Sequence, residues 1–135
     1  MSETVFGDSS GFFAAFAGND VHHASAIKAL APGYNLITTR LVVCETVSLI
    51  TKRLSLFYAR AWFQALTKDP HVSIQEIDPM LLREAERFWL KHKDKTWDLI
   101  DCYSFTVMRR NKIVRAFTLD QHFRQAGFLM LPEAA

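Results

Sequence analysis

The chain has 135 residues, 50% apolar and 22% charged, and its 16 Lys and Arg against 14 Asp and Glu give a formal charge of +2. At this length roughly two thirds of the unfolded surface can be buried, so a hydrophobic core is attainable without disulfides or a structural metal. Disordered, collagen-like and cysteine-scaffold classes are excluded. The opening MSETVFGDSS has no basic run ahead of an apolar one, and no window approaches the ~18 uninterrupted apolar residues of a membrane span. A cytoplasmic protein without a membrane segment is therefore expected, with Cys44 and Cys102 as buried, reduced thiols.

In chain order, short apolar runs occur at Val5-Phe6, Leu36 to Thr38, Val72 to Ile77, Ala116 to Leu119 and Phe128 to Leu131. Stretches with helical periodicity separate them, at about 10–17, 21–31, 40–53, 55–67, 80–93 and 98–111, with a short turn at 121–125. Asp20 is suited to cap the second helix and Pro32-Gly33 to stop it. Asp69-Pro70 ends the fourth, and Asp78-Pro79 supplies a cap followed by proline at the first helical position. Strands alternating with helices predict an α/β fold with a mainly parallel sheet of about five strands. No linker or repeat interrupts the chain, so one domain over 1–135 is expected.

In such a sheet the carboxyl ends of the strands share one edge, where ligand sites form. Asp8 follows the first apolar run and Asp120 the fourth, so both are placed at that edge. Glu45 sits among Leu41, Val42, Ser48 and Leu49 at helical offsets, and Asp101 among Trp97, Asp98, Ser104 and Phe105. Carboxylates on such faces are nearly buried and need partners. Taken singly each has a plain structural role: Asp8 and Asp120 as helix caps, Glu45 reaching to the surface, Asp101 pairing with Arg109 or Lys112. If the four meet, each pair at about 5 Å repels by roughly 3 kcal/mol at an effective dielectric of about 20. Protonation would relieve this, as would a hard divalent cation, and Mg²⁺ or Mn²⁺ suits carboxylates and water.

The ordered set Gly7-Asp8-Ser9-Ser10, Val43-Cys44-Glu45-Thr46, Trp97 to Phe105 and Thr118-Leu119-Asp120-Gln121-His122-Phe123, ending in Ala126-Gly127-Phe128, resembles a PIN-domain ribonuclease over nearly the whole chain. The likeness is greatest to the toxins of VapBC-type toxin-antitoxin modules and their stand-alone relatives. It implies a three-layer α/β/α fold and a Mg²⁺- or Mn²⁺-dependent endoribonuclease that hydrolyses RNA with water as nucleophile. Asp8, Glu45, Asp101 and Asp120 would be the catalytic, metal-binding acids, with Ser10 and Thr118 orienting them by hydrogen bonds. Asp98 stands where many relatives carry serine, and is either a helix cap or an additional acid beside the site. A cognate antitoxin protein and a homodimer are further implied partners.

An RNA substrate calls for cations. Arg109, Arg110, Lys112, Arg115 and Arg124 against Asp120 alone give the segment 109–125 a local charge of +4, which suggests a phosphate track. Arg109, Arg110 and Lys112 equally suit the last turn of a helix. Arg40, Lys52 and Arg53 flank the Glu45 helix. His22, His23 and His122 match no zinc spacing and are read as structural. Phe12, Phe13 and Phe16 belong to the core, while Trp62, Phe63 and Trp89 suit either the core or a partner surface. A degenerate RNA- or protein-binding module is the competing expectation. A phosphoacceptor domain is disfavoured, because paired acids at the first strand and a late lysine are lacking.

Overall fold

The computed structural model describes residues 3–133; residues 1, 2, 134 and 135 of the expected domain lie outside it. Five strands, β1 Thr4–Gly7, β2 Asn35–Thr39, β3 Val72–Gln75, β4 Arg115–Phe117 and β5 Leu129–Leu131, form one sheet in the order β3-β2-β1-β4-β5. Every pairing is parallel. The helices are α1 Ser9–Phe16, α2 His23–Leu30, α3 Arg40–Arg53, α4 Leu56–Lys68, α5 Pro79–Lys91, α6 Leu99–Arg110 and the short α7 Gln121–Gln125.

The sheet order explains the layering. From β1 the chain steps twice to one side, through α1–α2 and α3–α4, and then crosses back past β1 through α5–α6 to β4. Right-handed crossovers put α1–α4 on one face and α5–α7 on the other. The helices pack accordingly, α1 on α2 and α3, α3 on α4, α5 on α6 and α6 on α7. Connections leave β1 and β4 in opposite directions, which opens a crevice at the carboxyl ends of these adjacent strands. Register fixes the approach there, with Gly7 opposite Phe117 and the Asp8 amide donating to the Phe117 carbonyl at 3.1 Å.

Val5, Phe6, Ala116 and Phe117 are buried, as expected for strands covered on both faces. Phe105 on α6 meets Trp97 and Phe123 edge-on, at centroid distances of 5.2 and 5.0 Å. Gly11 lies so close to the Phe117 carbonyl that a Cβ would collide with it, and this allows α1 to seat directly against the end of β4.

Local punctuation holds at most helix ends. Asp78 accepts from the Met80 and Leu81 amides ahead of α5, and Pro79 opens that helix. Asp20 instead accepts from His22 N in the preceding turn, and His22 occupies the cap position of α2. The free thiols differ from expectation in one case: Cys102 is buried, but Cys44 is exposed. Its place on α3 turns it away from the sheet while Val42, Val43 and Thr46 face inward.

Candidate metal centre and active site

Asp8 leaves β1 at the crevice and is 6% exposed. Two hydroxyls converge on its Oδ2, Ser10 Oγ at 3.0 Å and Thr118 Oγ1 at 2.8 Å. Each hydroxyl in turn accepts from a backbone amide, Leu119 N to Ser10 at 2.9 Å and Asp120 N to Thr118 at 3.0 Å. The amides after β4 are thus relayed through two side chains to the carboxylate after β1. This fixes its orientation and stabilises its charge.

Asp120 caps α7, its Oδ1 accepting from His122 N at 2.9 Å. Asp98 and Asp101 form a reciprocal capping box at the start of α6: Asp101 N donates to Asp98 Oδ1 at 2.8 Å and Asp98 N to Asp101 Oδ2 at 3.2 Å. Both roles weighed for Asp98 therefore meet in one residue, a cap whose charge also acts on the site. Glu45, on the second turn of α3, is half-buried and lines an open cleft with Ser9, Lys52 and Ile100.

Burial pushes the carboxyls of Asp8 and Glu45 above their ordinary range, and neighbouring charge adds to the rise. Asp120 acts on Asp8; Asp8, Asp98 and Asp120 act on Glu45. Asp101 is pushed up to about 7 by burial and then by Asp98. The four acids and Asp98 consequently share one electrostatic environment, although their positions span more than a hundred residues of sequence.

His122 is the site residue that sequence reasoning missed. Its Nδ1 lies 3.0 Å from Asp101 Oδ2 and 3.4 Å from Asp120 Oδ1, and Nε2 lies 3.2 Å from Thr96 Oγ1. With Asp101 ionised, Nδ1 must be the donor, because a carboxylate only accepts. One ligand atom each from Asp101, Asp120 and His122 falls within a 4.8 Å span. The signal was present in Asp-x-His: once Asp120 is a helix cap, the residue two positions on is held against it. The donor set, carboxylate oxygens that resist joint ionisation with an imidazole beside them, fits a hard divalent cation.

Most of the expected cations lie elsewhere. Arg115 starts β4, at the end of the strand away from Asp8 and Asp120, and pairs with Glu3 at 2.6 Å. Arg110 ends α6, far along the helix from Asp101, and pairs with Glu84 at 3.0 Å. Arg109 covers the Phe88 ring at 4.3 Å. Lys112 adopts positive φ in the turn that follows α6, and Arg124 is exposed beside Arg115. The segment 109–125 is therefore not one track beside the acids. Arg40 begins α3 at the acidic edge but is paired with Glu76.

The α/β/α layering, the β1–β4 crevice and its acids define a PIN domain, and the chain belongs to that family, whose model matches residues 5–129. One relative it resembles is the 23S rRNA-specific endonuclease VapC20 of Mycobacterium tuberculosis, 27% identical over 126 residues, spanning 93% of this chain and 95% of the relative. The crystal structure of that protein, described as a sarcin-ricin loop cleaving toxin, superposes with a TM-score of 0.87 at 26% identity, covering 93% of this chain and 96% of the other. FitAcB from Neisseria gonorrhoeae shares the fold alone, with a TM-score of 0.68 at 12% identity over 94% and 96% of the two chains.

Proposed function

We propose that this chain is a divalent-cation-dependent endoribonuclease and the toxin of a toxin-antitoxin pair, acting in the cytoplasm. The observation that carries the proposal is Asp8. It is a buried carboxylate at the end of β1 held by two relayed hydroxyls, with Asp120 and Glu45 near enough for charge to act between each of them and it. Asp8 occupies the cap position of α1 but makes no side-chain capping bond there, and among the described residues it forms no ion pair.

Asp8, Glu45, Asp101 and Asp120 would hold Mg²⁺ or Mn²⁺. When bound, the ion acidifies water at the scissile phosphate and offsets the negative charge that develops there. Ser10 and Thr118 keep one Asp8 oxygen fixed, so no reorganisation is needed as charge develops. Asp98 holds Asp101 at the first turn of α6, and His122 holds it from the opposite side. The amino ends of α1, α3 and α6 reach the same edge, where helix dipoles favour a phosphate.

VapC20 acts on 23S rRNA, and the sarcin-ricin loop is the first RNA to test here. Mn²⁺-dependent cleavage should disappear in Asp8→Asn and in Asp101→Asn. Cleavage unchanged in both, or a melting temperature indifferent to Mn²⁺, identifies a binding module instead. For the antitoxin, the groove lined by Val43, Val47, Leu56, Ala59 and Phe63 is the docking site we assign. It shares Cys44 and Ser48 with the Glu45 cleft, so a protein seated there also reaches the acids. Phe57, 74% exposed, and Tyr58 extend this apolar surface, which is equally available to a second copy of the chain.

A further inference from the structure

The cations first suspected of holding RNA are mostly neutralised or at the wrong edge, whereas a different basic element runs up to the site through Thr96, which is bonded to His122. Lys91, His92, Lys93, Asp94 and Lys95 end α5 and begin the connection to α6. Among the described residues Lys91 and Lys93 form no ion pair, and Lys95 pairs only with its neighbour Asp94, at 3.4 Å, with its ammonium 5.9 Å from the centre of the Trp97 ring. An exposed pair of this kind is worth little and leaves the ammonium available.

Beside these lysines stands Trp89, 42% exposed. Its Nε1 donates to the Trp97 carbonyl at 2.8 Å, so the indole is pinned by one edge while much of its surface faces solvent. Trp89, Leu90, His92, Lys93 and Lys95 line a single groove. The groove adjoins the acids by covalent and hydrogen-bonded steps. Thr96, bonded to His122, is three residues from Lys93, at most about 11 Å of chain. Trp97, which holds the indole, immediately precedes the Asp98 cap.

We infer that the Trp89–Lys95 groove is the surface on which single-stranded RNA rests beside the acidic crevice, one base stacking on Trp89 and the phosphates following Lys93 and Lys95. The inference builds on the ribonuclease proposal and names where its substrate lies. An aromatic face with flanking lysines is the combination that binds unpaired bases irrespective of sequence. A pinned ring loses little freedom on stacking. Lysine is depleted in protein interfaces, so the groove suits nucleic acid, whereas the apolar α3–α4 surface suits a protein.

The test uses the Asp8→Asn chain, whose substitution lies outside the groove, so that binding is read whether or not turnover occurs. Fluorescence anisotropy with a labelled stem-loop RNA, over a series of salt concentrations, is compared among further variants on that background. Lys93→Gln with Lys95→Gln should weaken binding several-fold at low salt and reduce the slope of log affinity against log salt by about 1.4, two single-strand phosphates at ~0.7 each. Trp89→Ala should weaken binding about tenfold, and Trp89→Phe, which keeps a stacking face, should recover most of that loss. Lys28→Gln, on α2, should match the parent. Affinity and salt slope unchanged in the lysine and tryptophan variants overturn the inference, as does their loss of a co-purifying protein while RNA binding stays intact. Absence of cleavage by the unsubstituted chain would count against the ribonuclease proposal alone, because the anisotropy series is independent of turnover.

Discussion

His122 reaches Asp101 from the opposite side of the crevice, Nδ1 to Oδ2 at 3.0 Å, while Thr96 steadies the far nitrogen of the ring at 3.2 Å. Asp101 is thereby held between a backbone amide of its own helix cap and an imidazole from the segment after β4. If positioning is what His122 contributes, His122→Ala should weaken Mn²⁺ binding by about tenfold, within the range found for outer residues that orient metal ligands. His122→Asn, whose amide nitrogen can stand near the Nδ1 position, should restore much of that affinity. Calorimetric titration with Mn²⁺ reads this directly, and equal affinities for all three proteins would reject it.

Asp101 also makes stability depend on pH. Its carboxyl titrates near 7 in the fold and close to 4 in an unfolded chain, so between those values the native state binds the extra proton. The Asp101 contribution to the stability of the metal-free protein then falls as pH rises from about 4 to 7, by on the order of 1–3 kcal/mol. Thermal melts in a chelator should show a lower midpoint at pH 8 than at pH 5. Asp101→Asn should flatten the profile, and added Mn²⁺ should raise the midpoint most at the higher pH.

For Asp8, stability and function should move in opposite directions. Asparagine preserves an oxygen for the Ser10 and Thr118 hydroxyls but removes a charge that burial penalises. Asp8→Asn should melt at the same temperature as the unsubstituted protein or higher in chelator, lose its stabilisation by Mn²⁺, and cut RNA at least a hundredfold more slowly. A marked loss of stability in chelator would show that the carboxylate is a structural element.

Thr118 is fully buried, and its hydroxyl both donates to Asp8 and accepts from Asp120 N. Valine fills the same volume without either bond, leaving a buried amide and carboxylate short of partners. Thr118→Val should therefore reduce stability by about 1–3 kcal/mol and cleavage with it, whereas Thr118→Ser should retain most of both. Denaturant unfolding and RNA cleavage, measured together, separate the hydroxyl from the methyl group.

The strand-helix alternation was readable because apolar runs and capping residues are local signals. Asp78-Pro79 ahead of α5 and Asp98 at α6 do what their residue types predict. The gathering of Asp8 and Asp120 at one edge followed from parallel strands alone. The basic segment misled because proximity in sequence to Asp120 was taken as proximity in space. Arg115 opens β4 at one edge of the sheet, whereas Asp120 caps α7 beyond the other end of that strand. His122 was passed over because no zinc spacing includes it; its partners come from α6 and from the loop that precedes it. Cys44 faces outward because α3 turns Val42, Val43 and Thr46 inward, a rotation that an almost uniformly apolar stretch does not specify.

Sheet order has a consequence for when the acidic crevice can form. Asp8 follows β1, but one of its hydroxyl partners, Thr118, and the strand beside it, Arg115–Phe117, lie more than a hundred residues further along the chain. Until β4 slots in next to β1, the crevice has only one wall. Docking of β4 against β1 is therefore the step that completes the crevice, and it brings the Thr118 hydroxyl to Asp8 at the same time.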